Sequence, residues 1–142
     1  MLPADRAKLE AFKPSKDPTY ALVGRIDSLV LLRRDLKSVL DPKDSERQVL
    51  DDKATKALGT LADLPSHAIL DRGRVVGLWE FDTESDSVAW LPFIKKDKAL
   101  EDAVKRTEQY VREQLGDARS FSLDSPKSRA PKIAALRKAA GK

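Results

Sequence analysis

The 142-residue sequence contains no cysteine and a single histidine, His67. The absence of cysteine excludes disulfide bonds, thiolate metal ligands and a thiol nucleophile. With one imidazole and no thiol there is no histidine–cysteine set for zinc. A magnesium site made of carboxylates alone is the remaining alternative, but the carboxylates are spread as on an ordinary wet surface. We therefore predict neither a metal nor an organic cofactor, and we expect His67, at the start of a strand, to be a partly buried polar residue.

Long apolar runs are also absent, so the sequence predicts no membrane-spanning helix. The first residues, Met1 to Arg6, lack the basic-then-apolar arrangement of a secretion signal. Hydrophobic residues make up 41% of the chain and charged residues 35%, a balance typical of a globular domain with a heavily charged surface. We predict one domain over residues 1–142 and a cytoplasmic location.

Motifs for phosphate binding and for nucleophilic catalysis are missing. Gly73 and Gly77 are four residues apart, but no Gly-Lys-Ser/Thr or Gly-x-Gly sequence accompanies them. We assign Gly73 to a turn and expect Gly77 to make room for a neighbouring chain in the sheet. The serines between residues 120 and 128 include no Gly-x-Ser-x-Gly elbow, and we predict that they are caps and turn residues.

Positive charge is concentrated at one end of the chain. The net charge is +4, and residues 126–142 contain six basic residues and no acidic one. Residues 1–125 therefore carry a net charge of −2, the difference between +4 and +6. Such asymmetry is compatible with a polyanionic partner and equally with a solvated tail. The six basic residues are Lys127, Arg129, Lys132, Arg137, Lys138 and Lys142.

The pattern of apolar residues predicts an α+β fold. Alternation and turn residues indicate a mainly antiparallel sheet, with a three-stranded meander over about 66–93 and a further strand over about 19–24. Helices are predicted over about 28–40 and about 97–115, and these pack against the sheet. Asp97 and Gly116 provide the cap and the end of the second helix. A basic helix follows at the C-terminus.

Two finer predictions concern the helices and the sheet faces. A weaker apolar stripe predicts a helix between about residue 44 and Gly59. We expect the sheet to be covered on both sides near Gly77 and open near Glu80. Strict alternation in the middle strand of the meander places Val75, Gly77, Trp79 and Phe81 on one face and Val76, Leu78, Glu80 and Asp82 on the other.

Basic residues near predicted loops are the main signal for a binding site. Arg72 and Arg74 flank the tip of the first hairpin, and other cations follow the loop near residue 120. If the hairpin tip and this loop face one way, they form a cationic surface for phosphates; the alternative is a set of solvated side chains without common orientation. For Trp79 and Trp90, core packing is favoured over stacking on bases. The candidate nucleic-acid contacts are Arg72, Arg74, Arg119, Lys127, Arg129 and Lys132.

Three segments resemble the winged-helix DNA-binding proteins that include the AlkZ-like (YcaQ-type) DNA glycosylases. The first is Gly24-Arg25-Ile26-Asp27-Ser28-Leu29 with Arg33-Arg34, and the second is the hairpin Gly73-Arg74-Val75-Val76-Gly77-Leu78-Trp79. The third is the following strand and the long helix that ends near Leu115. The resemblance spans about residues 19–115, and a strand pair with a basic tip is also similar to the wing of such proteins.

The resemblance implies a bacterial protein of tandem winged helices around a DNA-binding cleft, and some members excise alkylated or crosslinked bases. Their Gln-x-Gln or Gln-x-Asp catalytic motif is absent here, because Gln48, Gln109 and Gln114 have no glutamine or aspartate at that spacing. The resemblance therefore implies a C-terminal domain without catalytic residues, whose partners are duplex DNA and the N-terminal winged-helix domains of a longer protein.

Three functions follow as hypotheses. The first is an accessory DNA-binding or scaffold domain with sequence-independent, electrostatic contacts to duplex DNA. The second is a purely structural or protein-interaction domain without nucleic-acid contact, which an exposed apolar face favours. The third is a small enzyme that uses Asp27, His67 or the serine loop, which requires a concave pocket uniting two of them.

Overall fold

The computed structural model describes residues 3–32 and 35–141. Within these residues the chain forms four α-helices, a four-stranded sheet and a two-stranded sheet, so the predicted α+β class is confirmed. The helices are α1 (Pro3–Ala11), α2 (Ser28–Leu31), α3 (Lys98–Tyr110) and α4 (Pro126–Ala139), and the strands are β1 (Tyr20–Val23), β2 (Gln48–Asp51), β3 (Ala54–Ala57), β4 (His67–Asp71), β5 (Arg74–Asp82) and β6 (Ser87–Pro92).

The main sheet has the order β1-β4-β5-β6, and every neighbouring pair is antiparallel. The predicted meander and the additional strand near residue 20 are both present. β4 and β5 are joined by a two-residue turn in which Arg72 and Gly73 both have positive φ, at 47° and 83°. Two positive φ values are the requirement of a type I′ hairpin turn, whose twist matches that of the strands it joins.

A β-bulge divides β5 into two parts. Ile69 pairs with Gly77, but the next residue of β4, Leu70, pairs with Val75, so Val76 is an extra residue on β5. The bulge shifts the alternation by one position. Val75 consequently packs in the same core cluster as Leu78, while Val76 packs with Trp79 and Phe81 on the opposite face. The strict alternation predicted for this strand is therefore wrong on the N-terminal side of the bulge.

Both faces of the main sheet are covered by helices. Leu100, Val104 and Val111 of α3 and its extension join the core on the face of Trp79 and Phe81. Leu136 of α4 joins the core on the face of Leu78 and Leu91. The sheet is therefore a middle layer between α3 and α4, and it is closed near Glu80, where we predicted an opening.

The helix predicted over about 97–115 is confirmed. The Asp97 side chain accepts a hydrogen bond from the Leu100 N–H, and the helix continues beyond Tyr110 as a π-helical segment, Val111–Leu115. Gly116 ends it in the left-handed conformation, with φ 71°. Glycine adopts this conformation without the steric cost that a Cβ imposes, which explains the end point.

The helix predicted over about 28–40 is much shorter in the structure. α2 comprises four residues, and the later part of the stretch forms a 3-10 turn at Leu36–Ser38; residues 33 and 34 lie outside the described residues. Asp27 and Asp35 each accept a backbone N–H two residues further on, so each begins a separate turn. Short aspartate side chains favour such local caps over a continuous helix.

The helix predicted between about residue 44 and Gly59 is also wrong. This stretch contains the antiparallel pair β2–β3, flanked by 3-10 turns at Pro42–Asp44 and Leu58–Thr60. Val49 is buried, and Gln48 to Leu50 line a cleft together with Leu136 of α4. Packing of β2 against α4 accounts for the strand, because tertiary contacts override a weak helical stripe.

Candidate functional site

The hairpin tip carries Arg72 with its charge already paired. Its guanidinium donates to both carboxylate oxygens of Asp71, with the shortest distance at 2.7 Å, and to the backbone carbonyl of Lys16 at 3.1 Å. The Arg72 hydrogen bonds, followed by one from the Thr19 N–H, lower the pKa of Asp71 despite its partial burial. Arg72 therefore anchors the segment before β1 to the turn.

Arg74 makes fewer polar contacts than Arg72, the other arginine of the hairpin tip. Its guanidinium donates to the Leu40 carbonyl at 3.3 Å, and no carboxylate among the described residues lies within salt-bridge distance of it. Within residues 3–32 and 35–141, the positive charge of Arg74 at the start of β5 is therefore without a counter-ion. Arg33 and Arg34, which belong to the segment that resembles the glycosylase family, lie outside the described residues.

Arg129 is not available to a nucleic acid, which corrects its assignment as a contact residue. Its side chain is 2% exposed and forms a bidentate ion pair with Asp117 at 2.7 and 2.9 Å. It also donates to the backbone carbonyls of Phe81 at 3.3 Å and Ala118 at 2.9 Å. Sequence analysis had not singled out Asp117, since a carboxylate beside a helix end carries no local sign of a partner twelve residues away.

The other C-terminal cations mostly hold α4 in place. Lys132 donates to the Pro65 carbonyl at 2.7 Å, and Arg137 forms an ion pair with Asp82 at 2.7 Å. Arg119 is exposed but pairs with Asp117 at 3.1 Å. Lys127 lies exposed in the first turn of α4. Three basic residues of this segment, Arg129, Lys132 and Arg137, therefore attach α4 to the rest of the fold, while Lys127 and Lys138 are exposed and Lys142 lies outside the described residues.

The candidate contacts do not converge. Arg74 is the first residue of β5, whereas Arg129 binds the carbonyl of Phe81 near its other end. Seven residues of extended strand separate these points, which corresponds to about 23 Å. The arginines of the turn and the cations near the start of α4 therefore lie near opposite ends of the middle strand.

A buried polar group of side chains occupies the end of β5 near α4, and we name it the polar cluster. It lies between the start of β4, the end of β5, the loop after α3 and the first half of α4. Its members are Ser66, His67, Glu80, Asp117, Asp124, Arg129 and Lys132.

His67 is buried, as the sequence predicted, and it is a neutral residue of defined tautomer. Its Nδ1 accepts the Arg25 N–H at 3.0 Å, so the ring proton is on Nε2, which donates to the Ala118 carbonyl at 3.1 Å. Burial lowers its pKa. The ring also stacks on Trp79 with 4.6 Å between centroids. The imidazole is thus committed to structural contacts on both nitrogens.

Glu80 is the least expected member of the polar cluster. Its side chain is 3% exposed, and its Oε2 atom has no hydrogen-bond partner. Desolvation raises its pKa to about 7. His67 Nε2 lies 3.9 Å from Oε2, and because the pKa of His67 is lowered while that of Glu80 is raised, both groups are neutral between the pKa of His67 and about pH 7. From the sequence we expected the sheet to be open near Glu80, so that this side chain would contact solvent. In the structure, α4 covers the Glu80 side chain.

The serines and tryptophans have mainly structural contacts. Ser125 and Ser128 form a reciprocal capping box at the start of α4, which confirms serine caps in this loop. Trp79 is buried and donates to the Ala68 carbonyl at 3.1 Å, as expected of a core residue. Trp90 is half-buried, and the Lys96 ammonium lies 4.8 Å from its ring centre. Gly73 forms the predicted turn.

Residues 26–32 form an exposed apolar segment beside the hairpin tip. Both leucines lie in the stretch predicted as a helix packed on the sheet, but Leu29 is 65% exposed and Leu32 81% exposed. Ile26 and Leu31 are also exposed. Leu29 and Gly73 line one cleft, so the segment adjoins the turn. We name residues 26–32 together with the turn Asp71–Arg74 the tip-end surface.

Two further observations limit the chemistry of the molecule. No group of three or more histidine, aspartate or glutamate residues in residues 3–32 and 35–141 is arranged to hold a metal ion. None of the helices in these ranges combines the length and the apolar character that crossing a membrane requires.

Comparisons with protein-family models, with curated proteins and with solved structures find no match for this chain. The family resemblance of the three segments is therefore an expectation from the sequence, and the arguments about function depend on the geometry of the tip-end surface and the polar cluster.

Proposed function

We propose that this chain is a binding module that docks onto another folded protein domain through the tip-end surface. The observation that carries the proposal is the exposure of four large apolar side chains within residues 26–32. Contiguous exposed apolar surface is uncommon in isolated soluble domains and marks interaction sites when polar residues surround it.

The local structure explains why these side chains are left uncovered. α2 is a single turn, and of its four residues Val30 alone is buried. A helix this short buries one side chain and directs its neighbours outward, so Leu29 and Leu31 face solvent by geometry. Covering Leu32 alone removes most of a leucine side chain from water, a gain of about 1.5–3 kcal/mol for a partner.

The charges beside this segment indicate the chemistry of the partner. Arg74 has no carboxylate partner among the described residues, and Arg72 lies next to it in the turn. An apolar centre with guanidinium groups at its edge complements an apolar surface with an acidic rim. The winged-helix domains that the family resemblance implies are the first partner to test.

Access also favours a binding role over catalysis. His67 and Glu80 have side chains that are each 3% exposed, and protein atoms surround both. The Asp27 carboxylate accepts a hydrogen bond from the Leu29 N–H and caps α2. A substrate has no route to His67 or Glu80 in this arrangement, whereas the tip-end surface is open.

The experiment places a photo-crosslinking amino acid at position 29 in cells of the source organism. The matched control is position 123, because Leu123 is 83% exposed and lies in the loop beside the polar cluster. A protein crosslinked from position 29 and not from position 123 is then purified and titrated with the chain. We expect Leu32→Glu to weaken binding by about tenfold or more and Leu123→Glu to leave it unchanged.

Two results would contradict this proposal. One is an equal crosslinking yield from positions 29 and 123, which indicates nonspecific contact. The other is a purified partner that binds the Leu32→Glu variant as tightly as the unmodified chain.

A second candidate function is electrostatic binding of duplex DNA at the tip alone, which the uncompensated charge of Arg74 favours. It is tested by measuring the affinity of the chain for duplex DNA at a series of salt concentrations. If the tip binds DNA, Arg72→Ala with Arg74→Ala weakens binding and flattens its salt dependence, while Arg119→Ala with Lys127→Ala does neither. Equal losses from both pairs would instead point to diffuse attraction by a basic protein.

A further inference from the structure

We infer that the polar cluster is a proton-operated latch, in which the Glu80 carboxyl holds the C-terminal segment, residues 117–139, against the sheet and loosens it on ionisation. The cluster joins this segment to both central strands. His67 on β4 donates to Ala118, and Arg129 on α4 donates to Phe81 on β5. A change of charge inside the polar cluster therefore alters how strongly the C-terminal segment is attached to β4 and β5.

The geometry around Glu80 accommodates a neutral carboxyl better than a carboxylate. Oε2 is buried without a hydrogen-bond partner, and the nearest imidazole nitrogen, His67 Nε2, already donates its proton to Ala118. The Ser66 side chain favours the carboxylate, but the effect of burial is larger. An ionised carboxylate at this position keeps an unsatisfied oxygen out of water, which is costly.

The cations of α4 do not compensate that charge directly. Arg129 is engaged by Asp117, and Lys132 donates to the Pro65 carbonyl. Both cations favour the carboxylate through space, and Asp124 opposes them. The titratable and charged groups that face the cluster are His67 from β4, Arg25 beyond β1, Asp117 and Asp124 from the loop, and Arg129 and Lys132 from α4.

Linkage then gives the direction of the effect. The pKa of Glu80 is about 7 with the segment in place and returns towards its ordinary value of 4.5 when the carboxyl meets water. The attached state therefore holds a proton that the loosened state releases, so attachment is strongest at low pH and weakens as the pH rises from 4.5 through about 7. His67 acts oppositely, since its lowered pKa favours loosening below pH 6.5.

The C-terminal segment is the part best placed to move. Its attachment to the sheet near Glu80 consists of polar contacts from Arg129, Lys132 and Ala118, and Leu136 adds an apolar contact further along α4. The β4–β5 pair, in contrast, is held by a backbone ladder from Asp71 and Arg74 to His67 and Trp79, with one interruption at the Val76 bulge. Local opening begins where few ladder bonds must break.

The experiment measures amide hydrogen exchange between pH 5.5 and 8, with rates corrected for the intrinsic pH dependence of exchange. Opening of residues 126–139 should increase by about tenfold to a hundredfold over this range, since each unit of pKa difference changes the ratio tenfold. Amides of β4 and β5 should change less. Glu80→Gln, which keeps the shape of the neutral carboxyl, should abolish the increase.

Three results would overturn the latch. They are a pH-independent opening of α4, an equal change in α4 and in the β4–β5 pair, and an unchanged pH response in Glu80→Gln. If that variant does not fold, the carboxyl carbon of Glu80 is titrated by NMR in the unmodified chain, where a midpoint at or below 4.5 refutes the latch and one near 7 supports it.

Discussion

The two ends of β5 differ in how the chain treats its charges and its apolar side chains. At the tip end, Arg74 has no carboxylate partner among the described residues, and Leu32 is 81% exposed. At the other end, Arg129 and Glu80 are nearly inaccessible; the Arg129 guanidinium is paired with Asp117, while Glu80 Oε2 and Arg129 Nε have no hydrogen-bond partner. Both ends contain arginines that look alike in the sequence. The difference teaches that coverage by α4, and not residue type, separates a structural cation from an available one.

Removing the central cation of the polar cluster should have the largest effect. Arg129→Ala leaves the largely buried Asp117 carboxylate with the exposed Arg119 as its remaining ion-pair partner among the described residues, so we expect the free energy of unfolding to fall by about 3–5 kcal/mol. Chemical denaturation measures this loss. The matched control is Arg119→Ala, because Arg119 pairs with the same carboxylate from an exposed position and should cost less than about 1 kcal/mol. Equal losses would remove the distinction between the two kinds of arginine.

A substitution in the middle of β5 should destabilise the sheet at both the tip end and the polar-cluster end. A Cβ on Gly77 lies 2.8 Å from the Leu91 carbonyl oxygen and 3.0 Å from Ile69 Cδ1, and the backbone oxygen cannot move aside easily. We expect Gly77→Ala to lower the free energy of unfolding by about 1–3 kcal/mol. Hydrogen exchange should report faster opening in β4 and β6 alike. An unchanged free energy of unfolding in Gly77→Ala would show that the neighbouring strands make room for the Cβ without an energetic cost.

Lowering the pH should reduce the stability of the fold through protonation of His67 in the polar cluster. Its pKa in the folded chain is below the ordinary 6.5 because of burial, so the unfolded chain takes up the proton first. Stability is therefore lost as the pH falls from 6.5 through the folded pKa. The measurement compares Glu80→Gln with the double variant Glu80→Gln/His67→Gln by denaturation between pH 7 and 5, since Glu80 otherwise acts in the opposite direction. Identical slopes would assign the acid response to other groups.

The smallest effect on stability is expected at the tip end. Leu32→Ser removes an exposed side chain that contributes little to the core, so the free energy of unfolding should change by no more than about 0.5 kcal/mol. Thermal or chemical denaturation measures it, with Leu123→Ser as the control of equal exposure. A loss above about 1 kcal/mol would mean that residues 26–32 belong to the core and are not an open surface.

Much of the sheet and the long helix could be predicted because their signals are local. Alternation over β4 to β6, the Arg72-Gly73 turn, and the Asp97 cap with Gly116 at the other end all involve residues that interact within a few positions. The helix over 28–40 was wrong for a local reason too: Asp27 and Asp35 each cap a short turn, a preference that the apolar spacing concealed.

The candidate site was harder to predict because its contacts join distant parts of the chain. Arg129 and Phe81 are 48 residues apart, and His67 and Ala118 are 51 apart. Basic residues 126–142 could equally be a free arm or an attached helix, since charge alone does not state its partner.

The sequence by itself determined the α+β class, the meander, the hairpin turn and the helix from Asp97 to Gly116, because hydrogen bonding, capping and alternation act between near neighbours. Tertiary structure alone determined the bulge at Val76, the burial of Glu80 and Arg129, and the separation of the cations along β5. The reason is physical. The environment that sets the pKa of Glu80 or neutralises Arg129 exists only after α4 has packed on the sheet.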